Sequence, residues 1–506
     1  MKDYRKLQNG SDLRGIALPG VAGEDVNLTP EIARDFGTAF VLWLCQQQEK
    51  APADLTVAVG RDSRLSGPDL QKGVIKGLLA AGARVLDCGM ASTPAMFMST
   101  VLEGFLCDGS VMITASHLPF NRNGLKFFTP KGGLEKTDIA DLIEIAEDEL
   151  PNDGEGTLEQ ADLITAYAAH LRAKICEGIG DEANYEQPLK GFKIAVDAGN
   201  GAGGFFATKV LEPLGADISA SRFLNPDGSF PNHIPTPEDK EAMKPIIAAV
   251  TENNCDLGLI FDTDVDRAGA VDADGSELNR NRLIALMAAI VLENDPGATI
   301  VTDSVTSTHL KKFIEESLGG VHHRFKRGYK NVINESIRLN NAGTSSPLAM
   351  ETSGHGALRE NYFLDDGAYL SAKMVIQAAR LRKQGKTLGG MLSAMGEPAE
   401  SSELRFKIAG EGFGDYGRAV VADLLTYAEA EGWEIANDNH EGVRIYFPEA
   451  GLEGWLLLRL SLHDPIMPLN MESDAAGGVK KIAAKLLPFL QQYDRLDISA
   501  IEKLLA

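Results

Sequence analysis

Three related α/β domains followed by a smaller α+β domain are predicted by three features of the chain. Short β-rich runs precede helical stretches three times, one helix–glycine–strand segment recurs three times, and the pattern changes beyond Ser401. At 506 residues the chain exceeds the ~250–300 at which single cores stop growing, so several domains are expected. The opening strands are residues 55–60 (LTVAVG), 192–197 (FKIAVD) and 298–303 (ATIVTD). Strands alternating with helices imply βαβ units and mixed or parallel sheets.

The recurring segment reads LLAAGARVLDCG at 78–89, VLEPLGADISAS at 210–221 and IEESLGGVHHRF at 314–325. In each, glycine stands where a helix C-cap adopts the left-handed conformation, and a short strand is expected after it. In the last domain, residues 404–408, 442–447 and 455–462 are expected as strands and 474–493 as an amphipathic helix. The predicted boundaries are 1–155, 156–275, 276–396 and 397–506.

Hydrophobic residues make up 44% of the chain and charged residues 24%, an ordinary globular balance. With 49 basic and 72 acidic side chains the net charge is −23, which disfavours nucleic acid or an anionic membrane as partner. An anionic ligand would have to be met by locally concentrated arginines. No stretch reaches the ~18 apolar residues of a membrane span, and the first residues carry no apolar leader. Five scattered cysteines without CxxC spacing fit reduced thiols and a cytoplasmic home.

Residues 109–124 (GSVMITASHLPFNRNG) speak most directly to function. A β-forming run ends at Ser116 in a loop punctuated by Pro119, Asn121 and Gly124, which presents the hydroxyl where ligands of open α/β sheets bind. An anion on Ser116 would find donors in His117, Asn121, Arg122 and Lys126. A second apolar strand, from 256, ends in Asp262, Asp264 and Asp266, followed by Arg267. Alternation lets the three carboxylates share one side as hard ligands for Mg2+. An EF-hand is disfavoured because its twelfth position would be Ala273. A phosphorylatable hydroxyl plus an aspartate trident points to metal-assisted phosphoryl transfer.

Weaker signals complete the set. Arg14 stands beside Gly15 in DLRG; Glu351, Ser353 and His355 lie in ETSGHG, where a carboxylate and a hydroxyl suit vicinal sugar hydroxyls. Arg459 and Ser461 alternate on an expected strand that runs to His463, one face offering a guanidinium and a hydroxyl to a phosphate dianion.

These motifs, in this order and across nearly the whole chain, resemble the α-D-phosphohexomutase superfamily, which includes phosphomannomutases, phosphoglucomutases and phosphoglucosamine mutases. TASHxP with DxDxDR carries most of the specificity. The resemblance implies four domains around a central cleft. It implies a phosphoserine at Ser116 and one Mg2+ held by Ser116, Asp262, Asp264 and Asp266. Arg14, His117, Lys126 and Arg267 would surround the transferring group. Glu351, Ser353, His355 and Lys326 would contact the sugar, and Arg459, Ser461 and His463 the phosphate that is not reacting. The implied activity moves phosphate between C1 and C6 of a hexose through a bisphosphate, which would also act as activator; hexose 1- and 6-phosphates are the implied partners.

Five positions depart from the family pattern. Leu118 replaces a frequent asparagine, Val305 a lysine and Tyr329 a histidine, and residues 461–465 read SLHDP instead of Ser-x-Thr-Glu-Pro. The general acid/base is therefore left open, as are the preferred hexose and the oligomeric state. A phosphoglucosamine mutase is an alternative of the same class. Two rivals of other classes are a dehalogenase-like phosphatase with Asp262 as nucleophile, which leaves Ser116 unused, and a non-catalytic sugar-phosphate-binding protein.

Overall fold

The computed structural model describes residues 3–461 and 464–506, so His463 lies outside the described residues. The chain divides into two compact units, Met1–Ile290 with Ser353–Met391, and Val291–Thr352 with Leu392–Ala506.

In the first unit, a mixed sheet forms around parallel strands Gly109–Ile113, Thr56–Arg61, Arg84–Met90 and Thr157–Gln160, in that spatial order. Arg122–Thr129 then pairs antiparallel with both Gly109–Ile113 and Asp12–Ile16. Val57, Val59, Val111 and Ile113 bury one face against the helices Pro30–Gln48 and Gly67–Ala80, through Phe36, Phe40, Val74 and Leu78. Thr29 caps the first of these helices, accepting from the Ile32 amide at 3.4 Å, ahead of Pro30, whose missing N–H costs nothing there. A second, three-stranded sheet sets Leu257–Phe261 between Ile194–Asp197, parallel, and Ala268–Asp272, antiparallel. The segment after Thr352 adds the hairpin Gly356–Leu358/Leu364–Asp365 and the helix Gly367–Arg382 to this unit.

In the second unit, Thr299–Thr302 lies between Val321–Arg324 and Leu348–Met350, all parallel. The C-terminal part is an antiparallel sheet in the order Glu434–Ile435, Val443–Phe447, Gly454–Leu458, Ile466–Ser473, Glu400–Ile408, Leu496–Asp497. Its core joins Phe406, Ile445, Leu456 and Met467 to the helices Phe413–Ala430 and Gly478–Leu490.

The repeat is visible in the backbone: Gly82, Gly215 and Gly319 have φ of 95°, 90° and 67°, conformations that disfavour a Cβ. Two expectations are corrected. No strand follows Gly215; only isolated bridges Lys193–Asp217 and Asp197–Arg222 form there. The strand expected over 455–462 stops at Leu458. Arg459 and Ser461 still donate their amides to Pro468 and Ile466, at 3.1 and 3.0 Å, but Pro468 has no N–H to return and the regular ladder ends. Among the described residues, no helix is long and apolar enough to cross a membrane, and all five cysteines are unbridged.

Candidate active site

Two strands of the first unit, Gly109–Ile113 and Leu257–Phe261, deliver the main groups just beyond their carboxyl ends, where open α/β sheets place ligands. Ser116 is 5% exposed and has φ 49°, a left-handed conformation uncommon outside glycine. The loop is held in that shape from two directions. The Ser116 amide donates to Thr114 Oγ1 at 2.9 Å, and Thr114 Oγ1 donates to Asp62 Oδ2 at 2.7 Å. From below, the buried Arg64 guanidinium donates to four carbonyls of the loop, those of Ser116, Leu118, Pro119 and Arg122, at 2.5–3.0 Å. Asp62 is its ionic partner at 3.4 Å. Burial pushes the Asp62 carboxyl up to about 6, against the pull of Arg64 and the Thr114 hydroxyl.

Ser116 Oγ donates to Asp262 Oδ2 at 2.9 Å and accepts from Arg267 Nη2 at 2.9 Å. The hydroxyl thus sits between a carboxylate and a guanidinium. Arg267 also reaches Asp262 at 3.0 Å, Thr236 Oγ1 at 3.2 Å and Glu238 at 3.3 Å, which fixes its plane. His117 keeps a solvent-exposed edge, with Nδ1 3.3 Å from Ser116 Oγ and accepting from Arg267 Nη2 at 2.8 Å. The protein around the ring, then the positive charges of Arg267 and Arg14, push its pKa down and favour neutral imidazole. Lys126 donates to Asp266 at 2.6 Å and to Asp264 at 3.3 Å. Arg14, on the strand Asp12–Ile16, pairs with Asp12 at 2.9 Å.

Asp262, Asp264 and Asp266 converge, offering one ligand atom each with all three within 4.8 Å of one another, all buried. Asp264 Oδ1 and Asp266 Oδ1 are buried without a hydrogen-bond partner, an arrangement costly for carboxylates unless a cation is at hand. An all-oxygen set with two such orphaned atoms fits a hard divalent cation of the Mg2+ type. Crowded carboxylates also explain why burial, then Asp266, drive Asp262 well above the ordinary carboxylate range, while Lys126, His355 and Arg267 overcome burial and hold Asp266 below it. The loop between them is bent at Val265, φ 67°, strained for a β-branched residue. The Gly367 amide donates to Val265 O at 3.0 Å. A Cβ on Gly367 would lie 2.5 Å from Arg267 O, so only glycine lets the helix Gly367–Arg382 dock here.

The other expected site residues fall in two places. His355 stands in the first unit against the acidic cluster, Nε2 3.7 Å from Asp266 Oδ1, with Nδ1 2.8 Å from Ser353 Oγ. Glu351 is in the second unit, where Oε1 accepts from the Gly328 amide at 2.6 Å. Lys326 is exposed, 5.9 Å over the Phe325 ring. Asp303 accepts from Thr352 Oγ1 at 2.7 Å, and Ser304 donates to Glu441, which also accepts from the Arg327 amide at 2.9 Å. Arg459 is 7% exposed and its Nε has no hydrogen-bond partner. Ser461 Oγ accepts from the Asp464 amide at 3.3 Å.

Sequence reading missed Asp62, Arg64, Thr236, Glu238 and Asp365. Only Arg64 left a usable signal, an arginine in RDSR just past the end of an opening strand.

Residues 5–151, 166–275 and 279–397 match, in order, the α/β/α domains I, II and III of phosphoglucomutase/phosphomannomutase. The chain belongs to the phosphoglucomutase/phosphomannomutase family, within the α-D-phosphohexomutases. It is 32% identical over 470 residues to the phosphoglucomutase of Neisseria gonorrhoeae, covering 92% of this chain and 93% of that protein. It is also 32% identical over 475 residues to the phosphomannomutase/phosphoglucomutase of Pseudomonas aeruginosa, covering 93% and 94%. A phosphoglucomutase/phosphomannomutase family protein from Burkholderia thailandensis has a similar crystal structure, with TM-score 0.76, 28% identity and 96% of each chain covered. Membership makes this phosphohexomutase an isomerase.

Proposed function

We propose that this enzyme interconverts hexose 1-phosphate and hexose 6-phosphate through phosphoserine at Ser116 and a sugar bisphosphate, with glucose and mannose phosphates as substrates. The observation that carries this reading is the seating of Ser116 Oγ between Asp262 and Arg267, 2.9 Å from each. A sugar hydroxyl attacks the phosphorus of phospho-Ser116, the P–Oγ bond breaks, and Ser116 recovers a proton as the bisphosphate forms. The bisphosphate turns over and returns its other phosphoryl group by the reverse step. Arg267 and Lys126 offset charge on the transferring oxygens, and Arg64 keeps Oγ aligned through the loop. Mg2+, held by Asp262, Asp264, Asp266 and an oxygen on Ser116, would add electrostatic stabilisation of those oxygens. Arg14 and His117 complete the donors at the phosphoryl group. Glu351, Ser353, His355 and Lys326 serve the sugar, and Arg459 and Ser461 a phosphate dianion. Contacts to O3 and O4 alone do not distinguish glucose from mannose, which differ at C2.

The test is incubation with hexose bisphosphate labelled in its phosphate, followed by mapping. Label is expected on Ser116, and Ser116→Ala should lose several orders of magnitude in turnover with its fold intact. A Ser116→Ala enzyme that retains a tenth of the rate, a small loss beside the ~10⁶-fold or larger accelerations of enzymes, would overturn the mechanism.

A further inference from the structure

The loop 222–238 of the first unit reaches both arginines that set Ser116. Near its middle, Phe230 lies against Arg64, with the guanidinium carbon 5.4 Å from the ring centroid. Gly228 approaches the same segment so closely that a Cβ would collide with Ser63 O and Leu65 N. Toward its end, Thr236 Oγ1 and Glu238 accept from Arg267 Nη1 at 3.2 and 3.3 Å. The loop forms neither helix nor strand among the described residues, so side-chain contacts have to define its shape.

Those contacts converge on the glycine-rich turn that follows the strand Ile194–Asp197. Asn200 accepts from Asn232 Nδ2 at 2.7 Å and donates to Asn225 O at 2.8 Å. His233 Nε2 stands 3.1 Å from Asp197 Oδ1, and its Nδ1 stands 2.9 Å from Ile234 O. The Gly199 amide donates to the same Asp197 Oδ1 at 2.8 Å, while Asp197 Oδ2 is buried without a hydrogen-bond partner. Both ring nitrogens of His233 therefore face oxygens that only accept, a carbonyl and a carboxylate. Imidazolium satisfies both contacts; a neutral ring with its proton on Nδ1 would turn a lone pair toward Asp197. The two side chains are 3% and 0% exposed, so the imidazolium also supplies the charge that a buried carboxylate needs. Burial opposes the charged ring, but Asp197, the Ile234 carbonyl and Asp239 outweigh it and raise the histidine pKa. The remaining neighbour is the uncharged Phe223 ring, edge-on at 5.4 Å.

We propose, resting on the transfer at Ser116 proposed above, that His233 and Asp197 are a positioning pair for Arg267 and Arg64, and that turnover falls at alkaline pH as His233 loses its proton. Neither residue reaches Ser116 itself. They act through Thr236 and Glu238 on Arg267, and through Phe230 on Arg64. Loss of the proton leaves two acceptors facing each other at 3.1 Å, which frees the loop and lets Arg267 turn from the Ser116 oxygen. The cost should fall on kcat, because Arg267 and Arg64 serve the transferring group.

Two measurements test the pair. Imidazole NMR of the full-length protein follows the ring directly between about pH 6 and pH 9. The His233 signal is assigned by its absence in His233→Gln or by its contact with Phe223. It should titrate above the ordinary histidine range in wild type, and about one pH unit or more lower in Asp197→Asn, where no negative charge holds the proton. In steady-state assays, His233→Gln keeps a donor toward Asp197 without the charge. It should lower kcat at neutral pH by about 10–100-fold, with KM within about threefold of wild type. Asp197→Asn should move the alkaline limb of kcat to lower pH in step with the NMR titration, which a purely structural role would not do. Labelling of wild-type Ser116 by hexose bisphosphate is measured first, so failure of the transfer shows in wild type and failure of the pair only in its variants. The proposal is overturned if the His233 ring is already neutral at neutral pH in the folded wild type. It is equally overturned if Asp197→Asn shifts the NMR titration but leaves the kcat limb in place.

Discussion

Arg64 Nη2 donates to the carbonyl oxygen of Ser116 at 2.5 Å from a side chain with no solvent exposure. The residue proposed to carry phosphate is therefore held by its backbone, and the guanidinium never touches its hydroxyl. Lysine at position 64 keeps the charge but cannot serve four carbonyls in a plane. Arg64→Lys should lower kcat by about 10²-fold, the scale of a small misplacement of reacting groups, with KM for the sugar phosphate little changed. Arg64→Ala should cost about 3–5 kcal/mol of stability by leaving Asp62 buried and unpaired. Steady-state kinetics and urea unfolding check the two; an Arg64→Lys enzyme of wild-type kcat would refute the positioning role.

Lys126 neutralises Asp264 and Asp266 where a divalent cation is proposed to bind, so lysine and cation compete for the same carboxylates. Lys126→Met should tighten Mg2+ binding by roughly tenfold or more, the scale of a charged hydrogen bond of ~1.5–3 kcal/mol. Turnover should nevertheless fall, because the same ammonium is proposed to offset charge on the transferring phosphoryl group. Calorimetry with Mg2+ on the substrate-free enzyme decides: weaker binding in the variant would show that Lys126 does not compete with the ion.

Arg459 is buried, and burial lowers its pKa despite the opposing pull of Glu441. Its Nε is buried without a hydrogen-bond partner, which supports the phosphate dianion proposed as its ligand. Arg459→Ala should raise KM roughly 10–150-fold by loss of a charge-assisted contact of ~1.5–3 kcal/mol. Because the proposed contact would persist in both orientations of the sugar, kcat should change less than KM. Unchanged KM and kcat would remove Arg459 from the substrate site.

What was legible in the sequence was what is local in the chain. Ser116 and the three aspartates each sit just past an apolar strand, so strand periodicity and a few loop residues reveal them. The C-cap glycines were legible for the same reason, since a positive φ is a property of one residue. Arg64 also follows an opening strand, but its role was not legible, because that role depends on a loop more than fifty positions away folding over it. His355 was expected at the sugar; its seat beside Asp266 was not legible, because a hairpin register sets it and no local pattern encodes cross-strand pairing between distant segments. Arg459 was placed on a strand because apolar alternation continues through it. The partner's lack of an amide, at Pro468, ends the ladder first.

The last expectation concerns pH and a group away from the chemistry. Asp366 is 1% exposed, caps the helix Gly367–Arg382 by accepting from the Tyr369 amide, and accepts from Tyr167 Oη and Asn361 Nδ2. Burial outweighs these donors and raises its carboxyl from 3.8 to about 6. The folded protein therefore binds this proton more tightly than the unfolded chain. The associated stability is fully present below pH 3.8, is lost as pH rises through about 6, and is flat above it. The amplitude is on the order of 3 kcal/mol. Asp366→Asn keeps an acceptor for the helix cap but cannot titrate. The unfolding free energy of wild type minus that of Asp366→Asn should fall between pH 4 and pH 7, whatever the other carboxylates contribute to each protein separately. A difference independent of pH, measured by urea unfolding across that range, would mean that Asp366 is ionised throughout and that its three donors, not burial, set its charge.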